Sequence, residues 1–311
     1  MKKLKVKFKI INFIFYILLI SCSIYVILDT FVIPHESNLI TNSTKTEEIL
    51  SNNDTDDSLN EENDNTSLAT ITDTSYEDEN ISIKISTERV NNTTYYVAEI
   101  SLSDSEYLKT ALAKNTYGRN IKETTSEMAE NNNAIFAING DYYGFRDYGY
   151  VIRNGVLYRN KANEDNDALV IDNDGNFSIV NESEVSAEEL LNEGAWQVLS
   201  FGPALIEDGD IVVDENEEVS QAKTSNPRTA IGQVDELHYI VVVADGRTSQ
   251  SEGLSLYELA QVMKEYNCTT AYNLDGGGSS TMYFNGEVIN NPTSGGSIEE
   301  RSVSDIVYIG Y

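Results

Sequence analysis

Residues 273–282 read NLDGGGSSTM and form a glycine-rich loop between two predicted strands. The flanking segments, TTAYNLDGG at 269–277 and TMYFNGEVIN at 281–290, have the composition and alternation of strands. Three consecutive glycines lose much conformational entropy on folding. They are expected where the backbone must approach another group closely. Successive backbone N–H groups in such a loop can form an anion-binding nest, to which the serine and threonine hydroxyls could add donors. We therefore expect an anionic ligand at this loop.

Three further polar clusters stand at the ends of predicted strands. They are NGDYY at 139–143, PRTAIG at 227–232 and DGR at 245–247. Polar residues in these positions lie on loops that a rigid sheet holds in place, where functional sites usually form. Asn-Gly-Asp and Asp-Gly are also ordinary turn sequences, so each cluster taken singly is explained by turn chemistry.

Alternating apolar and polar residues predict strands through most of residues 81–311. The run LHYIVVVADG at 237–246 predicts a buried central strand, and ALVIDNDGNFSIV at 168–180 predicts a hairpin. SLYELAQVMKEYN at 255–267 has an apolar face with helical spacing, and SEYLKTALA at 105–113 predicts a shorter helix. Runs of strands with few helices predict an α+β fold with a mixed, largely antiparallel sheet.

The N-terminal segment predicts a membrane anchor. Residues 10–33 contain a single charge, Asp29, and about 20 apolar residues suffice to span a bilayer as a helix. Five lysines precede this run within residues 1–9, so the positive-inside rule predicts a cytoplasmic basic tail, a transmembrane signal anchor and an extracellular C-terminal domain. The expected location is the cell membrane, with a single pass.

Two other interpretations of this segment stay open. A cleaved signal peptide would need a small-x-small motif soon after the apolar run, and none is present there. A lipoprotein signal ending at Cys22 would fit Leu19-Ile20-Ser21-Cys22, but the chain stays hydrophobic beyond Cys22.

Residues 34–80 are predicted to be a disordered acidic stalk. They are rich in Asn, Asp, Glu, Ser and Thr and show no apolar periodicity. Such a composition buries too little apolar surface to offset the entropy of ordering. The like charges would extend the stalk and hold the domain, residues 81–311, away from the membrane.

The charge of the chain excludes nucleic acid as a partner. The formal net charge is -30, from 51 acidic and 21 basic residues. Nucleic-acid binding depends on neutralising phosphates with lysine and arginine, and a chain this acidic would repel them.

The shortage of histidine and cysteine excludes several kinds of chemistry. The chain has two residues of each type, with only His238 and Cys268 in the predicted domain. Ser-His-Asp or Cys-His catalysis needs a histidine base, and His238 alternates within a strand pattern. A structural zinc site needs about four such ligands. The segment DNDG at 172–175 lacks the glycine and glutamate spacing of a calcium loop and predicts a turn.

The four polar clusters together resemble the phosphodiester glycosidase family. The matching stretches are NGDYY, NPRTAIG at 226–232, VVVADGR at 241–247, SLYELAQVM at 255–263 and NLDGGGSSTM, in the order of the family. This family includes N-acetylglucosamine-1-phosphodiester alpha-N-acetylglucosaminidases and bacterial relatives associated with exopolysaccharide. The resemblance covers residues 81–311 and implies a mixed α/β fold and cleavage at a sugar anomeric carbon with a phosphate leaving group.

The resemblance and the residue chemistry predict one set of site residues. An oxocarbenium-like transition state calls for carboxylates, for which Asp141 and Asp275 are the expected pair, and Glu258 matches a glutamate of the family's helix. Arginine binds phosphate oxygens bidentately, which suits Arg228 and Arg247. The remaining predicted substrate- or phosphate-binding residues are Asn139, Asp245, Asn273, Gly276, Gly277, Gly278, Ser279 and Ser280.

The partners follow from this site. The expected substrate is a glycosyl phosphodiester or a cell-envelope glycopolymer, and the N-terminal helix provides the membrane contact. No cofactor is predicted firmly, but a divalent cation held by carboxylates and bridging to the phosphate would reconcile an acidic surface with an anionic substrate. Two alternatives stay open: a non-catalytic polysaccharide-binding module, and a phosphodiesterase that cuts the P–O bond.

Overall fold

The computed structural model describes residues 2–37, 69–163, 167–215 and 225–311. Its helices are α1 Lys2–Phe31, α2 Thr125–Asn131, α3 Ala187–Asn192 and α4 Leu256–Glu265. Its strands are β1 His35–Glu36, β2 Thr70–Thr72, β3 Ser75–Glu77, β4 Ile81–Val90, β5 Thr93–Leu102, β6 Leu108–Leu112, β7 Gly118–Arg119, β8 Phe136–Asn139, β9 Val151–Arg153, β10 Val156–Arg159, β11 Asp167–Asp172, β12 Phe177–Asn181, β13 Ala195–Leu199, β14 Ala204–Glu207, β15 Asp210–Ile211, β16 Arg228–Asp235, β17 His238–Ala244, β18 Thr270–Asn273, β19 Met282–Phe284, β20 Glu287–Val288, β21 Thr293–Ser294, β22 Ser297–Ile298 and β23 Asp305–Ile309. The antiparallel pairing of these strands confirms the predicted α+β class.

A nine-stranded sheet forms the centre of the domain, in the order β15-β14-β18-β16-β17-β5-β4-β3-β2. The predicted central strand is β17, which pairs with β16 on one side and with β5 on the other. Its residues alternate between two cores: Val242 packs with Leu259 and Met263 of α4, whereas Val241 packs with Ile138 on the opposite face. An unbroken apolar run is what burial on both faces requires.

Two five-stranded sheets complete the domain and determine where the polar loops meet. One has the order β20-β19-β8-β23-β6 and places the end of β8 beside the start of β23, with Asn139 opposite Ile306. The other has the order β10-β9-β13-β11-β12 and contains the hairpin predicted at residues 168–180, whose strands are β11 and β12. The loops that follow β8 and β18 meet, since the N–H of Asp275 donates to the Gly140 carbonyl at 3.4 Å.

The predicted helix at residues 105–113 is wrong. The chain makes a single 3₁₀ turn at Ser105–Tyr107 and then forms β6, which pairs along its length with β23. A helix this short has little stability of its own, so tertiary strand pairing overrides its local propensity.

The predicted boundary of the domain at residue 81 is too late. Strands β2 and β3 precede it and extend the nine-stranded sheet through pairing with β4. Tyr76 of β3 is buried, and its hydroxyl donates to Asp78 at 2.6 Å. The other part of the predicted stalk, residues 38–68, lies outside the described residues.

Helix α1 contains an apolar stretch, Asn12–Phe31, of 20 residues with a mean hydropathy of 2.1. None of its residues is fully buried, and only Asp29 and Thr30 near its end are half-buried. By length and composition it can cross a membrane.

A short strand attaches the end of α1 to the domain. In the β1–β7 pair, His35 lies opposite Arg119 and Glu36 opposite Gly118. The Asn120 side chain donates from Nδ2 to the carbonyl oxygens of Thr30, at 3.1 Å, and Ile33, at 3.0 Å. The predicted stalk does not begin at residue 34, since the chain is paired with the domain at residues 35–36.

Gly118→Ala is expected to detach β1 from the domain. A Cβ at position 118 would overlap the His35 carbonyl oxygen and lie 2.9 Å from the Glu36 Cα, and backbone atoms cannot move aside cheaply. The amide of Ser37, which donates to the Tyr117 carbonyl at 3.1 Å, should exchange with deuterium at least about tenfold faster. Gly310→Ala is the matched control, because its Cβ has 3.4 Å to its nearest neighbour. Unchanged exchange at Ser37 would contradict this account of the attachment.

Candidate active site

The glycine-rich loop lies against two arginines, which explains why it lacks side chains. A Cβ at Gly277 would lie 2.6 Å from Arg247 Nη2, and a Cβ at Gly278 would lie 2.6 Å from Arg301 Nη2. Gly277 also has a positive φ of 63°, a conformation that glycine adopts without strain. The glycines therefore allow two guanidinium groups to approach the backbone closely.

The backbone N–H groups of this loop are less available to an anion than the sequence suggests. The N–H of Gly277 donates to the Pro227 carbonyl at 2.8 Å, and those of Ser279 and Ser280 donate within the loop. The hydroxyls differ, because Ser279, Ser280 and Thr281 are buried and have no hydrogen-bond partner among the described residues. Buried polar groups are normally satisfied, so these hydroxyls indicate a place for bound water or ligand.

Asp141 and Asp275 line one cavity of about 260 Å³. Asp275 follows β18 and Asp141 follows β8, so the two predicted carboxylates converge from different sheets. The other residues that line the cavity are Lys122, Tyr142, Phe145, Ser279, Arg301, Ser302, Val303 and Ser304. A concave site with convergent charged groups is the usual form of a small-molecule site.

Asp275 is a buried carboxyl group whose pKa is raised. Burial raises the pKa of its carboxyl group above the usual value, while the Ser279 hydroxyl, the charges of Arg301 and Arg146 and the Gly276 N–H oppose the rise. The Ser279 hydroxyl acts at close range although it does not reach hydrogen-bond geometry. A carboxyl group with a raised pKa stays protonated at a higher pH and can serve as a general acid.

Asp141 belongs to a buried cluster with Arg153 and Asp305. Arg153 Nη2 donates to Asp141 Oδ2 at 2.8 Å and to Asp305 Oδ2 at 2.7 Å, and all three side chains are almost fully buried. Asp141 also accepts the N–H of Ser200 at 3.0 Å and that of Tyr143 at 2.9 Å. One arginine thus holds two carboxylates, and Asp141 is fixed in position by charge-assisted hydrogen bonds.

The carboxyl group of Asp305 has fewer stabilising partners than that of Asp141. Burial raises its pKa, Arg153 opposes this, and the neighbouring charge of Asp141 adds to the rise. Its Oδ1 has no hydrogen-bond partner among the described residues. Of the two carboxyl groups that share the buried guanidinium, Asp305 is therefore the one that takes up a proton more readily.

Several predicted residues hold the loops in place and do not line the cavity. Asn139 donates to the Asp275 carbonyl at 2.6 Å and accepts from the Thr229 hydroxyl at 2.9 Å, which ties the loops after β8 and β18 together. Asn273 donates to the Gly202 carbonyl at 2.7 Å, and its Oδ1 has no partner among the described residues.

The two arginines predicted to bind phosphate lie in different surroundings. Arg228 is buried and donates from Nε to the Leu254 carbonyl at 3.0 Å. Arg247 is partly exposed, packs against the glycine-rich loop and donates from Nε to Asn226 Oδ1 at 3.1 Å. Burial lowers the pKa of Arg247, and the nearby charge of Arg301 contributes to this. Arg301, which the sequence analysis did not single out, is the arginine that lines the cavity.

Asp245 and Glu258 accept hydrogen bonds away from the cavity of Asp141 and Asp275. Asp245 accepts hydrogen bonds from Asn291, through its N–H at 2.8 Å and its Nδ2 at 3.0 Å, so it anchors that loop and does not pair with Arg247. Glu258 completes the capping box of α4 by accepting the Ser255 N–H at 2.8 Å. Burial would raise the pKa of Glu258, but hydrogen bonds from Ser255 and Asn91 outweigh it and lower the pKa. Glu258 therefore caps helix α4 and does not line the cavity of Asp141 and Asp275.

The described residues offer no ready site for the predicted divalent cation. Within residues 2–37, 69–163, 167–215 and 225–311, no three His, Cys, Asp or Glu side chains converge as metal ligands. Asp141 also directs its oxygens to Arg153 and to backbone N–H groups.

Asp275→Asn is expected to change the pH dependence of stability. Because the folded-state pKa of Asp275 is raised, its contribution to stability is greatest below the unfolded-state pKa and is lost as the pH rises through the folded-state pKa. Asparagine does not titrate, so the variant should gain stability relative to the native chain as the pH rises. Urea unfolding of both proteins between about pH 4 and about pH 8 measures this difference. A difference that is constant or falls with pH would show that burial does not penalise the ionised carboxylate.

The model of the phosphodiester glycosidase family matches residues 132–310, which include both carboxylates and the glycine-rich loop. The chain belongs to the phosphodiester glycosidase family, as the sequence motifs predicted.

Two curated relatives are similar over parts of the chain. The SPbeta prophage-derived uncharacterized protein YomE of Bacillus subtilis (strain 168) is 29% identical over 238 residues, which is 70% of this chain and 36% of YomE. The N-acetylglucosamine-1-phosphodiester alpha-N-acetylglucosaminidase of Mus musculus is 32% identical over 159 residues, which is 47% of this chain and 30% of the mouse protein. The chain thus spans about a third of the length of these relatives.

A solved structure has the same fold. The zebrafish N-acetylglucosamine-1-phosphodiester alpha-N-acetylglucosaminidase catalytic domain, auto-inhibited by its pro-peptide, matches with a TM-score of 0.59 and 23% sequence identity. The match covers 74% of this chain and 83% of the zebrafish chain. At this identity the likeness concerns the fold.

Proposed function

We propose that the domain hydrolyses the anomeric C–O bond of a sugar-1-phosphodiester outside the cell. The observation that carries the proposal is the convergence of Asp141, Asp275 and Arg301 on one cavity. The names of the mouse and zebrafish relatives make N-acetylglucosamine the first sugar to test.

The two carboxylates suit different roles. Asp275, whose pKa burial raises, is placed to donate a proton to the departing phosphate oxygen. Asp141, held by Arg153 and two backbone N–H groups, suits a fixed negative charge that stabilises the oxocarbenium-like transition state. The anomeric C–O bond breaks with its electron pair on the phosphate oxygen, which takes the proton of Asp275. A water oxygen bonds to the anomeric carbon, and the proton that this water loses returns Asp275 to its acid form.

Cationic side chains near the cavity would offset the acidity of the chain. Arg301 and Lys122 line the cavity, and Arg146 and Arg247 lie close enough for their charges to interact with Asp275. Salt screens more distant surface charges within about 8–10 Å, so these local cations dominate at the reacting phosphate. Arg301 and Lys122, which line the cavity, are suited to bind the phosphate oxygens of the substrate.

The apolar helix supports a membrane location for this activity. Because α1 can cross a bilayer and lysines precede its apolar stretch, we place the domain on the outer side of the cell membrane. A cell-envelope glycopolymer with sugar-1-phosphodiester linkages is the substrate class that would be reached there.

The test is hydrolysis of a synthetic N-acetylglucosamine-1-phosphodiester by the full chain in water enriched in oxygen-18. We expect release of free sugar that carries the label, because water attacks the anomeric carbon. Label in the phosphate product would mean P–O cleavage and would assign a phosphodiesterase instead. Binding without turnover across a panel of glycosyl-1-phosphodiesters would indicate a binding module.

A further inference from the structure

A second cavity, of about 420 Å³, lies where the end of α1 meets the domain. We call it the junction cavity. Helix α1 and strand β1 form one side, and the loops around β7 and the end of β10 form the other. Its charged and titratable lining includes Asp29, His35, Arg119, Arg146, Asp147 and Arg159.

The attachment of β1 creates this cavity. The β1–β7 pair and the hydrogen bonds from Asn120 to the carbonyls of Thr30 and Ile33 hold the end of α1 over the domain. Without this attachment the arginines would lie on an open surface.

The arginines of the junction cavity lack matching carboxylates. Arg119 has an exposed ion pair of 3.8 Å with Asp147, which contributes little. Within the described residues, neither Arg146 nor Arg159 has a carboxylate oxygen within 4.0 Å. Partly buried guanidinium groups are costly without a counter-charge, so the cavity is suited to an anion.

Arg146 and Arg119 have N–H groups that make no hydrogen bond to the described residues, whereas Arg159 donates to backbone carbonyls. Arg159 donates to the carbonyls of Gly149 at 2.6 Å and Tyr143 at 3.0 Å and so supports the loop. The Arg146 guanidinium lies over the rings of Tyr142, Tyr148 and Phe201. It donates one hydrogen bond to the described residues, at 3.4 Å to the Ser200 carbonyl. A guanidinium has five N–H donors in a planar fork, which fits phosphate oxygens.

The position of the junction cavity indicates that the anion is a lipid phosphate. Asp29 and Thr30 stand at the end of the apolar stretch Asn12–Phe31, whose 20 residues match a hydrocarbon core of about 30 Å at about 1.5 Å per residue. In the proposed topology the cavity therefore lies at the level of the phosphates of the outer leaflet.

We propose that the junction cavity binds the phosphate group of a membrane lipid. Arg119 and Arg146 donate to the phosphate oxygens, and the end of α1 closes over the headgroup. This inference rests on the membrane topology proposed above and is independent of the hydrolase activity, so either can fail alone.

The test is titration of the full chain in a neutral detergent with dioctanoyl-phosphatidylglycerol, followed by calorimetry. Arg119→Gln and Arg146→Gln are each expected to weaken binding by about tenfold, as for loss of one charge-assisted hydrogen bond. Arg89→Gln is the matched control, because Arg89 is exposed, lies outside the junction cavity and bonds to Thr94, Asn92 and Gln250. It should bind as the native chain does.

Gly118→Ala provides a second test that leaves every arginine in place. It removes β1 and should weaken lipid binding if the closed cavity, and not general positive charge, holds the phosphate. Equal affinity of the native chain and the variants Arg119→Gln, Arg146→Gln and Gly118→Ala would overturn the proposal. Binding of inorganic phosphate without binding of the lipid would overturn the lipid assignment.

Discussion

Asp275→Asn is expected to lower kcat for hydrolysis of the N-acetylglucosamine-1-phosphodiester by about 10²–10⁴-fold, the usual contribution of a general acid. Asparagine keeps the shape of the side chain and the neighbouring Ser279 and Gly276, but it has no proton to donate to the departing phosphate. Steady-state kinetics of the native chain and the variant measure the effect. KM should change much less than kcat, because the proton is transferred only in the transition state.

Asp167→Asn is the matched control for this experiment. Burial raises the pKa of Asp167 as well, yet this half-buried residue does not line the cavity. Its substitution should leave kcat within about twofold of the native value, as for a site without contact to substrate. Equal losses in both variants would indicate a general effect of removing buried carboxylates, and full activity of Asp275→Asn would remove Asp275 from the mechanism.

Arg153→Met is expected to lower the free energy of unfolding by about 3–5 kcal/mol, the cost of leaving buried charge without its partner. The substitution strands Asp141 and Asp305, and it also removes donors to the carbonyls of Ile152 and Val198. Urea unfolding at neutral pH measures the loss. Arg89→Met, at an exposed arginine, should change stability by no more than about 0.5 kcal/mol.

A triple variant separates charge from packing in this cluster. Arg153→Met combined with Asp141→Asn and Asp305→Asn leaves no ionised group buried, so it should recover most of the lost stability. If the triple variant is as unstable as Arg153→Met alone, lost packing and lost hydrogen bonds to the carbonyls explain the effect, and the charge balance does not.

The sequence predicts the parts of this molecule that depend on local patterns. The continuous apolar run of β17 identifies the middle of the sheet, and the spacing of Leu256, Leu259 and Met263 identifies α4. The hairpin at residues 168–180 is also visible, because Asn-Asp-Gly is a turn sequence between alternating strands. By contrast, residues 105–113 look helical locally and become a strand only because β23 is available to pair with them.

Some residues of the candidate site can likewise be predicted from local sequence motifs, and others only from the fold. Asp141 and Asp275 are visible because each follows a strand in a recognisable motif, and the structure brings both to one cavity. Arg153 and Asp305 are 152 residues apart, and their contact depends on the packing of two sheets. A charged residue among the buried positions of β9 is the one local signal for Arg153. Arg301 follows no strand motif, and only the fold places it beside Gly278.

The attachment of β1 changes what the segment of residues 38–68 can do. Residues 35–36 pair with β7, and the chain rejoins the same domain at β2, so both ends of this segment are fixed to one body. The β1–β7 pair and Asn120 therefore set the distance between the end of α1 and the domain. A protease that cut the chain within residues 38–68 would leave the anchor bound to the domain through the β1–β7 pair and Asn120, as a noncovalent two-chain complex.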